Sequence, residues 1–159
     1  MAANEPVITV EIVTQADDYL RDLMLAIDEE AFGPGSLNEW LLPPFLHFGR
    51  VYIARVDGRV AGIAELMRDW RDQELAYLYG FAVAREYQNY GVGTVLFRHI
   101  LEAIPRAGFR RLQLTVHPEN HIAIHIYEDK FRMKRVNFLK DYYGSGEDRW
   151  LLEWNFENR

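Results

Sequence analysis

The chain has 159 residues, 49% apolar and 26% charged, and no cysteine. That is one globular domain's worth of chain, and it excludes disordered, collagenous and low-complexity classes, disulfide scaffolds, cysteine-ligated zinc, iron–sulfur clusters and cysteine nucleophiles. The net charge of −6 is lopsided: residues 1–80 carry 6 basic and 14 acidic side chains, and residues 81–159 carry 12 and 10. An acidic chain is a poor nucleic-acid binder, so no nucleic-acid partner is expected. The N-terminus has no basic segment followed by an apolar stretch, and the longest uncharged run, Tyr87 to Phe97, is far short of the ~20 residues that span a bilayer. A soluble cytoplasmic protein without a membrane partner is expected.

Val7 to Val13 alternates around β-branched residues and predicts a strand. Asp17 and Asp18 open a helix whose apolar stripe is Leu20, Leu23, Met24, Ile27 and Ala31, broken at Gly33-Pro34-Gly35. Ser36 is expected to cap a second short helix through Leu42, stopped by Pro43 and Pro44. Val51–Val56, the Asp57-Gly58 turn and Val60–Met67 predict a hairpin. Leu75–Val83 predicts a third strand of this region, with Gly80 marking a bulge or a close backbone approach. Val92, Leu96, Phe97, Ile100, Leu101 and Ile104 predict an amphipathic helix ended by Pro105 and Gly108.

Arg111–Val116 predicts a strand with Leu112, Leu114 and Val116 on one face and Gln113, Thr115 and His117 on the other. Asn120 can cap a helix carrying Ala123, Ile126 and Tyr127, and strands over about Arg135–Tyr142 and Arg149–Phe156 close the chain around Gly144-Ser145-Gly146. The order β-α-α-β-β-β-α-β-α-β-β implies one α/β domain over residues 1–159 with a mixed, mostly antiparallel sheet, in which the strands flanking the helix after Val83 run parallel.

The stretch that carries chemistry is Gln88-Asn89-Tyr90-Gly91-Val92-Gly93-Thr94, between a strand and a helix. Two glycines let backbone N–H groups approach a ligand, and the following helix adds its positive end, which together suit a phosphate or pyrophosphate. It is neither a Walker loop nor a dinucleotide fingerprint.

The run from Phe81 to Ile104 resembles motif A of the GNAT superfamily of acetyl-CoA-dependent N-acetyltransferases, with Gln88, Gly91 and Gly93 at the motif positions. Asn120-His121-Ile122-Ala123-Ile124-His125-Ile126-Tyr127 resembles the second motif of that family. Leu114 to Asn120, Lys140 to Gly144 and Gly146-Glu147-Asp148 are most similar to the RimI type, which acetylates protein N-terminal α-amines. The resemblance implies a GNAT fold of six to seven strands flanked by four helices. It also implies acetyl-CoA held by Phe81, Ala82, Val83, Gln88, Asn89, Tyr90, Gly91, Val92, Gly93, Thr94, Asn120 and Tyr127, with no metal. A backbone N–H near Ala82 or Val83 would polarise the acetyl carbonyl, Tyr127 would protonate the leaving thiolate, and Tyr77, Tyr142 and Tyr143 would border an amine-bearing acceptor.

Two residues depart from the pattern. The second-motif helix ends Glu128-Asp129-Lys130-Phe131-Arg132, without the family's Gly-Phe, so its end must differ locally. Thr115 stands where RimI-like enzymes carry a glutamate base. His117 on the same strand face, a water relay ordered by Tyr77 and Tyr79, and Glu65 on the neighbouring strand are the substitutes. The acidic run Asp17, Asp18, Asp22, Asp28, Glu29 and Glu30 suits an amine-bearing acceptor or a solvated face. Arg85, Arg98, Arg110 and Arg111 are candidates to face CoA phosphates. His117, His121 and His125 have no matching carboxylate set for a metal. A protein or peptide N-terminus is the expected acceptor, with a small-amine acetyltransferase and a non-catalytic acyl-CoA sensor as the alternatives, working as a monomer or a homodimer.

Overall fold

The computed structural model describes residues 3–158. The elements follow the expected order: β1 (Ile8–Val13), α1 (Asp18–Phe32), α2 (Leu42–Phe48), β2 (Arg50–Val56), β3 (Arg59–Arg68), β4 (Leu75–Val83), α3 (Val92–Arg106), β5 (Arg111–Val116), α4 (His121–His125), β6 (Lys134–Leu139) and β7 (Arg149–Asn155). The seven strands order as β1-β2-β3-β4-β5-β7-β6. All the described pairings are antiparallel except β4 with β5, which run parallel as the intervening helix requires.

The chain gathers into two compact units, each assembled from separated segments. One takes the chain up to Met67 together with Gly80–Ala103, and the other takes Arg68–Tyr79 together with the chain from Ile104 onward. In the first unit, Asp17 caps α1 by accepting the Leu20 N–H at 2.8 Å, and Met24 and Ile27 are the stripe residues that bury fully. The β2–β3 hairpin turns through Asp57 (φ 47°) and Gly58 (φ 83°), the two left-handed positions of a type I′ turn. β3 carries α3 on one face: a Cβ on Gly62 would meet Leu96 and Val92, both buried, at 3.5 Å. The opposite face of the same layer receives α1, as the surroundings of Gly80 show below.

The second helix corrects its prediction. Residues 36–41 are not helical, and α2 starts at Leu42 with its prolines in the first turn. Proline lacks an N–H that the first turn has no partner for, so Pro43 and Pro44 begin the helix where the sequence suggested they would end one. Likewise α3 runs one residue past Pro105, which sits in its last turn.

In the second unit β5 and β7 pair over six residues, from Arg111↔Asn155 to Val116↔Trp150. β6 stops at Leu139, three residues before the predicted end, so Tyr142 and Tyr143 lie in the connecting loop. That loop is tied by the Asp141 N–H donating to Asp148 Oδ1 at 2.8 Å and the Gly146 N–H donating to Asp141 Oδ1 at 2.7 Å.

The missing glycine after the second motif is also resolved here. α4 passes into a π-helical turn, Ile126–Lys130, in which the Phe131 N–H reaches back five residues to the Ile126 carbonyl at 3.3 Å. A π turn holds one residue more than an α turn. Arg132 then takes the left-handed conformation (φ 56°) that glycine usually supplies at a helix end, and the Met133 N–H closes onto the Tyr127 carbonyl at 2.9 Å. Met133, 3% exposed, anchors the end. Because a non-glycine residue is strained there, Arg132→Gly is expected to raise the unfolding free energy by roughly 0.5–1 kcal/mol, net of the added freedom of the unfolded chain. Urea denaturation checks this, and a loss of stability would contradict the turn as described.

Candidate functional site

In the first unit the glycine loop has a defined shape. Asn89 (φ 70°) and Gly91 (φ 81°) are both left-handed, which folds the backbone into a concavity at the start of the 15-residue α3. Alternating handedness of this kind turns successive N–H groups inward, and the helix end adds positive potential. The first turn of α3 carries no acidic residue to oppose an anion. Gly93 would tolerate a side chain as far as the protein is concerned, since a Cβ would stand at ordinary contact distance from Val83 (3.5 Å) and Phe81 (3.8 Å). The open position of the loop is Gly91, where a Cβ would meet nothing within 4 Å. The Gln88 amide reaches the Val83 carbonyl only at 3.5 Å, and Tyr87 and Tyr90 meet edge to face. Phe81 packs against Phe97 of α3, Ala82 is buried, and Val92 and Thr94 belong to the first turn of the helix. These residues fit a pyrophosphate at the loop and an extended amide chain along Phe81–Val83.

The second unit holds the aromatic residues. The Tyr77 hydroxyl and Thr115 Oγ1 share a hydrogen bond of 3.0 Å between the parallel strands β4 and β5. Burial raises the Tyr77 phenol well above its ordinary value; Thr115 works against that rise and Tyr143 adds to it. Tyr142 (49% exposed) and Tyr143 (53% exposed) meet edge to face at 4.9 Å, and the Arg149 guanidinium lies over the Tyr143 ring. Tyr79 is half-buried on the Tyr77 side of β4. Tyr127 sits in the π turn, half-buried, and burial pushes its phenol up to about 12.

Two other residues are already engaged. Asn120 accepts the Ala123 N–H at 3.2 Å and so caps α4. His117 Nδ1 accepts the Glu119 N–H at 3.2 Å, which occupies the lone pair a neutral imidazole would use as a base. Arg110 and Arg111, read as phosphate ligands, are committed elsewhere: Arg110 to Glu74 and Glu157, Arg111 to Asp72 and Glu153.

The acidic run hides an exception. Asp28 is 2% exposed, and its Oδ2 accepts the Leu37 N–H at 2.6 Å, fastening the segment after α1. Glu65 is 0% exposed in the middle of β3. A Cβ on Gly80 would collide with Glu65 Oε2 and stand 3.6 Å from Asp28 Oδ1. Desolvation, reinforced by Asp28, pushes Glu65 up to about 8, and desolvation raises Asp28 against the pull of the Leu37 N–H. The signal for Glu65 was present in the sequence: an acid inside the apolar run of β3, and a glycine inside β4.

The acetyltransferase (GNAT) family matches residues 17–131. An N-alpha-acetyltransferase of Sulfolobus acidocaldarius is 30% identical over 111 residues, 64% of this chain and 66% of that protein. The chain thus spans just under two thirds of the length of that relative. Two solved structures share the fold: the Escherichia coli ribosomal-protein-S18-alanine N-acetyltransferase (TM-score 0.78, 19% identity, 94% of each chain) and Arabidopsis thaliana Naa50 in complex with the bisubstrate analogue CoA-Ac-MVNAL (TM-score 0.73, 19% identity, 92% of this chain and 99% of that one).

The buried acid pair makes stability depend on pH. An unfolded glutamate releases its proton near its ordinary 4.5, whereas folded Glu65 holds its own to about 8. Between these values the folded state binds more protons, so the unfolding free energy falls as pH rises from about 5 to 8. Denaturation curves across that window are expected to show the decline in the wild type and to flatten in Glu65→Gln. A decline of equal slope in the variant would assign it to other groups.

Proposed function

The chain belongs to the acetyltransferase (GNAT) family, and we propose that it moves an acetyl group from acetyl-CoA to the α-amine of a protein or peptide N-terminus. The observation that carries the acceptor class is the Tyr77–Thr115 hydrogen bond with Tyr142 and Tyr143 beside Tyr77 in the same unit. The hydroxyls offer a peptide's backbone and first side chains hydrogen bonds and the rings offer them packing, while none of these four residues brings the carboxylate that a polycation would need. The relatives named for N-terminal acetylation support the same reading.

Bound acetyl-CoA supplies an activated acetyl thioester. The Asn89–Gly91 concavity and the start of α3 would take its pyrophosphate, and the Phe81–Val83 edge would hydrogen-bond its amide arm as an added strand. A backbone N–H at Ala82 or Val83 would polarise the carbonyl. Tyr127 keeps its proton throughout the working pH range, because burial pushes it up to about 12, and so stays a donor for the departing thiolate.

Energetics favour an α-amine. At pH 7.4 an amine of pKa ~7.8 is roughly a quarter neutral, whereas a lysine of pKa ~10.4 is neutral about once in a thousand, a gap of roughly 3.5 kcal/mol. No helix among the described residues is long and apolar enough to cross a membrane, and we place the reaction in the cytoplasm, where new N-termini emerge.

A thiol-release assay tests this with three acceptor sets: peptides with free N-termini, the same peptides N-blocked but containing lysine, and polyamines. Turnover is expected on the first set. Equal turnover on the blocked peptides would sink the α-amine assignment, and turnover on polyamines alone would replace it with a small amine. Tyr127→Phe is expected to lower kcat roughly 10²–10⁴-fold with KM for acetyl-CoA changed only a few-fold; a change confined to KM would give Tyr127 a binding role.

A further inference from the structure

Three carboxyl oxygens in the first unit are buried without a hydrogen-bond partner: Glu65 Oε1, Glu65 Oε2 and Asp28 Oδ1. Buried carboxyls serving structure alone are normally satisfied by donors, as Asp28 Oδ2 is by the Leu37 N–H. Among the described residues, the elements around Glu65 bring no compensating cation. β2 sets Val51 opposite it, β4 sets Gly80 against it, and from α1 comes Asp28, a second acid that disfavours the charged form. Such a pair calls for a proton. It lies on the Gly80 face of β4, while Phe81 and Val83 face the start of α3. Gly80 leads directly into Phe81–Val83, and two residues of strand span about 7 Å, a distance two waters hydrogen-bonded in series can bridge.

We propose that Glu65, held by Asp28 against the bare Cα of Gly80, is the proton acceptor for the incoming amine. This rests on the acetyl-transfer reading above. The acceptor arrives as an ammonium and passes one proton through water to the Glu65 carboxylate, making the carboxylic acid. The neutral nitrogen forms the C–N bond as the thioester C–S bond breaks. Tyr127 protonates the thiolate, the nitrogen's second proton restores the Tyr127 hydroxyl, and Glu65 returns its own proton to solvent. The proposal also answers the absence of a base at Thr115: a carboxyl raised to about 8 is well matched to an α-amine near 7.8.

The first test needs no substrate. Carbon-13 NMR of the side-chain carboxyls of the full chain is expected to show one titrating near pH 8, absent in Glu65→Gln and moved to lower pH in Asp28→Asn, where the amide oxygen can still accept from Leu37. The second measures kcat against pH with free N-terminal peptides. Glu65→Gln is expected to lose roughly 10²–10⁴-fold and the acidic limb, and Asp28→Asn to shift that limb the same way as the NMR midpoint. Peptides whose amines differ in pKa separate the limbs, because one set by the enzyme stays fixed. A Glu65→Gln enzyme with wild-type kcat and profile would overturn the proposal while leaving acetyl transfer intact. So would an Asp28→Asn limb that does not move, which keeps the test decisive if Glu65→Gln fails to fold. Absence of turnover on every N-terminal peptide would instead remove the reading beneath it.

Discussion

The space a side chain would take at Gly80 is held by the Glu65 carboxylate, and the first unit is arranged around that substitution. Burying an unpaired carboxyl costs several kcal/mol unless it keeps its proton. Here two acids share the burial, from α1 and from β3, and one of them also fastens the segment at Leu37. Helix, loop and two strands are thereby linked through one small polar centre inside an apolar layer. Any residue larger than glycine at position 80 would push the carboxylate out and loosen all of them together.

The second unit solves a different problem with neutral groups. Where the resemblance led to the expectation of a glutamate, Thr115 offers a hydroxyl, and the partner it finds is the Tyr77 phenol. The threonine thus orders a tyrosine beside the exposed pair on the β6–β7 loop. That loop owes its shape to Asp141 and Asp148, whose carboxylates accept backbone N–H groups. Acids serve the backbone in this loop, whereas those at Gly80 have oxygens left over for chemistry.

The fold was legible wherever alternation or stripe was strong. β4 and β5 have the bounds their alternation predicts, because each strand is buried on one face and half-buried on the other. The failures have local causes. Pro43 and Pro44 stop a helix only if they follow its first turn, and here they form it. The strand ending in Tyr142 stops at Leu139 because Asp141 turns left-handed (φ 52°). Of the site, the glycine loop and its flanking strand could be read from spacing. Asp28 could not, since it sits in an acidic run whose other members face water, and only tertiary packing separates it from them. The arginine pair at 110 and 111 attracted an anion reading, although its own carboxylates lie far away in sequence, at 72, 74, 153 and 157.

The π turn at Ile126–Lys130 bears on how such chains change length. An inserted residue in a helix ordinarily rotates everything beyond it by about 100°, carrying side chains off their face. Here the surplus is confined to one widened turn, with Tyr127 within it and Met133 closing it. The α-helical ladder ends at His125 and the wide turn is the last of the helix, so nothing helical follows for it to rotate. Arg132 reverses the backbone immediately after it, and β6 starts at Lys134. The wide turn thus sets where Tyr127 stands without setting the phase of any element beyond it.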